Sequence, residues 1–375
     1  MTELAGLKVG QGRRVYVSAA PESTFGAAQT LTHCLIHPLG GDPLERTPER
    51  VPNSEYSSGI ATDHATGHMV IGHGLNKPLP LYATLEALGI FLAKCMNGGD
   101  TVAGGAAPYT HSLAYASLPD LLLGMTIEDH LAGSVGVAAT DRKHVGVCVD
   151  SVEFSVGRSG RARLNIGLVG SGKLDAVGTI TEAGLVIPAE LIEGPKCRVC
   201  LGPATSLGVT AWDGSLEVSA TAGLFPTVDA GVPDISKYVE EFTFRVQNGC
   251  AAGERELGHS ASTGVYVGRA LPRNRVVEVE IRFLYGTPFS TLLHAAGDAT
   301  NTVQAQQTIL LNIASDITGH GGAFAWPVCE IPPEALSGLT GKGPLAPTVK
   351  FTALASAANQ PMVAKIADYS PQDYC

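Results

Sequence analysis

The stretch that decides the fold reads V-D-S-V-E-F-S-V (149–156), G-R-S-G (157–160), R-A-R-L-N-I-G-L-V (161–169). From Ser151 it alternates. Val152, Phe154 and Val156 point one way, and Ser151, Glu153 and Ser155 point the other. Beyond the Gly157–Gly160 turn, Ala162, Leu164, Ile166 and Leu168 share one side, while Arg161, Arg163 and Asn165 share the other. Period-2 alternation on both arms of a glycine-containing turn is the sequence form of an antiparallel hairpin with one dry and one wet face.

The pattern returns further along. Phe242, Phe244 and Val246 alternate with Glu241, Thr243, Arg245 and Gln247; Val277, Val279, Ile281 and Phe283 alternate with Glu278, Glu280 and Arg282. The segments 149–156 and V-E-E-F-T-F-R-V (239–246) align without gaps. A unit that recurs at long spacing points to duplication. The expectation is a mainly β chain of two tandem β-sandwich or barrel domains, residues 1–194 and 195–375, each with an amphipathic hairpin and a flanking helix. One large sandwich also needs four alternating strands and is the plainer alternative.

Composition fits an all-β chain. In 375 residues, 45% are apolar, enough for a substantial core, and 45 glycines and 23 prolines supply many turns. The net charge of −10 argues against tight, sequence-independent nucleic-acid binding, which needs Lys and Arg to neutralise phosphates. No basic segment followed by an apolar run opens the sequence, so no signal peptide is expected, and no apolar run is long enough for a membrane-spanning helix. The eight cysteines are scattered, not clustered as in a small disulfide scaffold. Cys375, the last residue, reads as a flexible thiol able to crosslink to a neighbouring subunit.

Along the chain, residues 38–60 read as a long loop, Pro78–Lys94 as the clearest helix, 100–110 as a Gly/Ala loop and Leu216–Ala220 as a strand. Thr287–Ala296 is a short helix candidate. Gln304–Ile313 fits either helix or strand. Trp326–Ile331, Thr348–Leu354 and Met362–Ile366 read as closing strands. The chemical motifs are weak. G-L-V-G-S-G-K (167–173) resembles a phosphate loop, but Leu174 stands where Ser or Thr should ligate magnesium. Cys197 and Cys200 have no second pair at zinc spacing, and on a strand they point to opposite faces. His64, His68 and His73 near Asp63 match no standard metal site. Arg161 and Arg163 are expected to pair with carboxylates such as Glu153. The reading is of no enzyme, no cofactor and no metal.

The order of features resembles that of phage tail tube proteins, also called major tail proteins. E-S-T-F-G-A-A (22–28) is similar to the family's opening. S-S-G-I-A-T-D-H (57–64), the following G-H-G turn and Pro78–Lys94 are similar to its loop, strand and helix. G-V-C-V-D-S-V-E-F-S-V (146–156) is similar to its central hairpin, and W-P-V-C-E-I-P (326–332) with G-P-L-A-P-T-V-K-F-T-A-L (343–354) to its final strands. The resemblance implies a structural virion protein whose copies form rings stacked into the tail tube, a conduit for DNA that passes without specific binding. It implies a lumen lined by Ser151, Glu153, Ser155, Arg161, Arg163, Asn165, Glu241, Thr243, Arg245, Gln247, Glu278, Glu280 and Arg282. Loop 38–60 and the termini would contact the next ring, with tape measure, tail terminator and baseplate proteins as further partners. Two tube domains per chain imply a ring of three chains; a single one implies six. The competing classes are a β-sandwich binding or decoration module for carbohydrate or capsid, weakened by only 6% aromatic residues, and a hydrolase, for which no convergent carboxylates are visible.

Overall fold

The computed structural model describes residues 13–37, 44–52, 68–116, 121–131, 142–176, 184–188, 190–203, 216–226, 232–250, 270–284, 306–331, 336–337, 347–355 and 360–375. In chain order its first strands are β1 (Arg13–Val17), β2 (His33–Leu35), β3 (Thr47–Pro52) and β4 (His68–Tyr82). Helix α1 (Leu85–Met96) follows, then β5 (Asn97–Ala103), β6 (Tyr109–Tyr115), β7 (Met125–Leu131), β8 (Arg142–Gly157) and β9 (Arg163–Asp175). The second part supplies β10 (Cys197–Pro203), β11 (Val239–Gln247), β12 (Val276–Phe283), β13 (Gln307–Ala314), β14 (Gly321–Glu330), β15 (Leu336–Ser337), β16 (Thr348–Ala353) and β17 (Val363–Asp368). The chain is mainly β.

Two antiparallel layers organise these strands. One runs β4–β9–β8–β11–β12–β16. The other runs β10–β13–β14–β17–β6–β5. They join where Cys329 and Glu330 of β14 pair with Ala353 and Thr352 of β16, and the sheet does not close into a barrel. β8 is the spine. β9 pairs along one of its edges, while β7 and then β11 share the other; β7 leads on to β1 and β2.

Alternation explains why the layers face each other. The dry sides of β8, β9, β11, β12 and β16 put Val152, Phe154, Leu164, Ile166, Phe242, Phe244, Val279, Ile281, Val349 and Phe351 at 1% exposure or less, against Phe324 and Trp326 of the second layer. Phe244 is the hub. Its ring lies 5.3 Å from Phe154, 5.2 Å from Trp326 and 5.9 Å from Phe324. Aromatic contacts at these spacings add to the burial of area itself.

Strands from either side of residue 194 are hydrogen bonded to each other, β8 to β11 and β6 to β17. One apolar cluster holds residues of both stretches. The two hairpins expected in separate domains therefore lie side by side in one sheet, their dry faces covered by the same layer.

The expected helix over Pro78–Lys94 is corrected. Residues up to Tyr82 belong to β4, and the helix starts at Leu85. The reason is local. K-P-L-P-L-Y alternates, burying Leu79 and Leu81 while exposing Pro78 and Pro80, and proline suits an edge strand better than a helix interior. The Thr84 hydroxyl accepts the Ala87 N–H at 3.2 Å and caps the helix, which ends on Asn97 in the left-handed conformation (φ 55°). All twelve helical positions are buried, including Lys94. Its Nζ donates to the carbonyls of Ala19 (2.7 Å) and Tyr374 (3.0 Å), and burial lowers its pKa to about 8.

Other expectations change as well. Most of 100–110 is the β5–β6 hairpin, and part of the 38–60 loop is β3. Leu216–Ala220 forms no strand. Gln307–Ala314 is a strand, which resolves the ambiguous segment, and the three closing strands appear as β14, β16 and β17. Thr287–Ala296 lies outside the described residues.

Phe244→Ala should destabilise the fold by about 3–5 kcal/mol, the cost of a large aromatic truncation in a packed core. Denaturant unfolding followed by tryptophan fluorescence measures it, since Trp326 packs on Phe244.

Candidate functional site

The wet face of the first layer gathers the polar residues that the alternation singled out. Cross-strand register sets them in rows. Asn165, Glu153, Arg245, Glu278 and Thr352 stand opposite one another across β9, β8, β11, β12 and β16. The next row is Arg163, Ser155, Thr243, Glu280 and Lys350. A third brings Glu241, Arg282 and Thr348 together, and Ser151 stands beside Gln247. Arg161 sits at the turn. All thirteen expected positions are exposed or half-buried, and the register brings together the twelve that lie on strands.

Sequence reading missed the contribution of β16. Thr348, Lys350 and Thr352 extend the same rows, and the alternation T-V-K-F-T-A (348–353) was the signal. On the far side β4 adds Pro78, Pro80 and Tyr82 opposite Gly167, Asn165 and Arg163.

Charges on this face alternate in sign. The thirteen positions carry four glutamates (153, 241, 278, 280) and four arginines (161, 163, 245, 282), so their charges cancel. Lys350 Nζ lies 2.7 Å from Glu278 Oε1, and Arg282 Nε lies 3.0 Å from Glu240 Oε2. Exposed pairs like these contribute about 0–1 kcal/mol each, so the pattern matters for the field it presents more than for stability. A polar face with so little net charge has little hold on phosphate and does not strongly repel it.

Arg161 pairs with a carboxylate as expected, but with Glu193 and not with the example Glu153. Arg161 Nε lies 3.9 Å from Glu193 Oε1. The hairpin register sets Glu153 between Asn165 and Arg245, while Arg163 stands opposite Ser155. The four-residue turn fixes that offset.

Cys375 is not a free tail thiol. Its sulfur is half-buried against the main core, 3.6 Å from the Ala93 carbonyl, and burial pushes its pKa to about 11. The residues before it are locked into a buried polar cluster. The Tyr374 hydroxyl donates to Asp368 at 2.7 Å, and its backbone N–H donates to Asp100 at 3.1 Å. Its ring stacks on His111 at 4.1 Å. His111 lies 2.7 Å from Asp100 through Nδ1 and 3.4 Å from Asp368 through Nε2, all with fully buried side chains. Burial alone would favour neutral imidazole, but the two aspartates overcome it and hold the His111 pKa up at about 10.

The remaining motifs are structural. G-L-V-G-S-G-K runs through β9, and no α-helix follows it among the described residues. Gly172 has φ 69°, and a Cβ there would come within 2.7 Å of the Gly74 backbone nitrogen, so close approach of β4 explains the glycine. Cys197 packs on the main core and Cys200 on a small cluster with Val232, Leu310 and Ala325, on opposite faces of β10. Burial raises both thiols, to about 12 and 11. His68 and His73 lie in β4; Asp63 and His64 fall outside the described residues. Among the described residues no group of three or more His, Cys, Asp or Glu is set to hold a metal, and no helix is long and apolar enough to cross a membrane.

Two segments behind the resemblance meet at Glu22. This buried carboxylate accepts N–H bonds from Gly26 (2.7 Å) and Gly146 (2.8 Å) and the Thr126 hydroxyl (3.1 Å). Gly146, with φ 65°, stands with Val145 against the single residue Thr126 in a bulge of the β7–β8 ladder. Its N–H turns out of the ladder onto Glu22. Burial pushes the Glu22 carboxyl up, and the Gly146 and Gly26 amides partly offset this. Neither a protein-family model nor a curated protein sequence matches the chain.

The raised pKa of His111 gives a signed pH dependence. Its stabilisation is fully present below the unfolded histidine pKa of about 6.5 and is lost as pH rises through about 10. His111→Asn should therefore cost roughly 3–5 kcal/mol near pH 6 and clearly less near pH 10. Unfolding of both proteins at the two pH values checks this, and the difference isolates His111 from Lys94 and Glu86.

Proposed function

We propose that the chain is a structural subunit whose copies assemble into stacked rings forming a tube, with the wet face of the β4–β16 layer lining the lumen. The observation that carries this reading is the register. Twelve polar positions from two hairpins far apart in sequence stand in rows on one face of one sheet, with apolar side chains on the opposite face committed to the core. A broad polar face with cancelling charges suits a wall past which DNA slides without sticking. It agrees with the resemblance to phage tail tube proteins, which makes the tube a conduit for DNA ejection in the virion tail.

Dimensions are compatible. Each chain offers six strands to the wall. With strands about 4.8 Å apart and tilted by about 40°, three copies close at a backbone diameter of about 36 Å and six at about 72 Å. Lining side chains take about 5 Å on each side. Three copies thus leave about 26 Å, enough for a B-form duplex whose two grooves are together about 16 Å deep. A ring of three is favoured, with six as the alternative. Tape measure, tail terminator and baseplate proteins are the expected further partners.

Negative-stain electron microscopy of the concentrated protein, alone and with tail-assembly partners, should show rings or tubes with a stained central hole. Monodisperse single chains under all these conditions would sink the proposal. Replacing Glu153, Glu278 and Glu280 together by Lys should leave assembly intact but make the tube retain DNA, with affinity that falls steeply as salt rises.

A further inference from the structure

We propose that Asp129 and His144 clip Leu44 onto the β7–β8 pair, and that protonation of His144 opens the clip, so that acid frees the segment leading into β3. The inference concerns contacts within one chain and stands whether or not the chain forms rings.

Leu44 lies just ahead of β3, and side chains of two other strands hold both of its backbone groups. Its N–H donates to Asp129 Oδ2 of β7 at 2.7 Å, and its carbonyl accepts from His144 Nε2 of β8 at 3.0 Å. Its own side chain joins the main core. Leu44, Asp129 and His144 are each only 1% exposed. Asp129 is fixed in turn by Arg13 of β1, which reaches its two oxygens through Nε (2.7 Å) and Nη2 (2.9 Å).

The two ring nitrogens of His144 are unlike. A carbonyl only accepts, so Nε2 carries the hydrogen and Nδ1 is the bare nitrogen. Nδ1 is buried and has no hydrogen-bond partner among the described residues. A second proton must go there, onto a cation shut off from water and without an acceptor. The surrounding charges do not compensate. In register, the row of His144 holds the apolar Ile127 of β7 and Leu174 of β9, and the next row on the same face sets Asp129 opposite Arg142. Glu128, Lys143 and Asp175 stand together in the row between, on the other face. The clipped segment brings Arg46, and Glu45, whose Oε1 lies 2.6 Å from Arg142 Nη1. Burial is the largest influence and lowers the His144 pKa; the Leu44 carbonyl and Asp129 oppose this, while Arg142 and Arg46 add to it.

Held in the clip, His144 therefore resists protonation. Once Leu44 lifts away, water reaches the ring and the ordinary histidine pKa of about 6.5 returns. The clip is at full strength above about pH 6.5 and weakens as pH falls below that value, until the lowered pKa of the closed form is reached. The Nε2–H bond itself survives protonation, so hydration of the imidazolium is what drives the opening.

Amide exchange at Leu44 in the full chain tests this, because its N–H is one of the two clipped groups. Protection of that amide, corrected for the intrinsic rate, should fall by about three- to tenfold between pH 7.5 and pH 5.5, while that of Phe244 in the central strand β11 falls much less. Imidazole resonances should show His144 as the Nε2–H tautomer, titrating below pH 6.5 in step with the loss of protection. His144→Gln keeps a donor but cannot titrate, and should remove the pH response at Leu44. Three results would overturn the proposal: unchanged Leu44 protection across this range, the same fall in H144Q, or titration of His144 at or above pH 6.5. An equal loss at Leu44 and Phe244 would mean global unfolding and would also overturn a local clip. If H144Q does not fold, the paired titration and exchange curves of the unmodified chain decide between these outcomes.

Discussion

The structure depends on one requirement, that the dry faces of two antiparallel hairpins be covered. Two-stranded ribbons with a single apolar side are marginal in water. Here β8–β9 and β11–β12 join through the β8–β11 ladder, and the combined apolar surface is closed by β14, with Phe324 and Trp326 set against Phe242 and Phe244, and Phe154 stacked beside them. Everything else follows from that closure. α1 packs against β8, β6, β5 and β17, and the polar side chains are left together on the outside because their neighbours are committed within.

Much of this was legible in the sequence. Strict alternation in 151–168, 241–247 and 276–283 named both faces of four strands, because period 2 maps directly onto side-chain direction. It could not say which strands would lie next to one another. The match between 149–156 and 239–246 points to two domains but also fits one large sandwich, and Phe154 facing Phe244 is a contact between residues far apart in the chain. Pro78–Lys94 misled for a related reason. Leu81, Leu85, Leu88 and Leu92 fit a helical spacing, but Leu81 is buried from a strand and the other three from a helix; the break at Thr84 lies within the period.

Buried polar residues were the least legible. Glu22, Lys94, His111 and Asp368 give no periodic signal, and each is held by groups distant in sequence. The treatment of Cys375 as a loose thiol failed for the same reason. Nothing in S-P-Q-D-Y-C (370–375) announces that Tyr374 will be fully buried between His111 and Asp368. Such groups exchange hydration for a few well-aimed partners, and only the assembled chain supplies them.

The shared edge of β8 has a mechanical consequence. A single strand here belongs to two ladders on one side, β7 near its start and β11 near its end, while two bulges interrupt its pairing with β9 on the other. Sliding β8 by one residue would turn Phe154 to the outside. It would also pull Gly146 off the Glu22 carboxylate and unseat the strands that descend from β7. The alignment of the polar rows is thus anchored at a point well away from them, by a bent backbone and one sequestered acid.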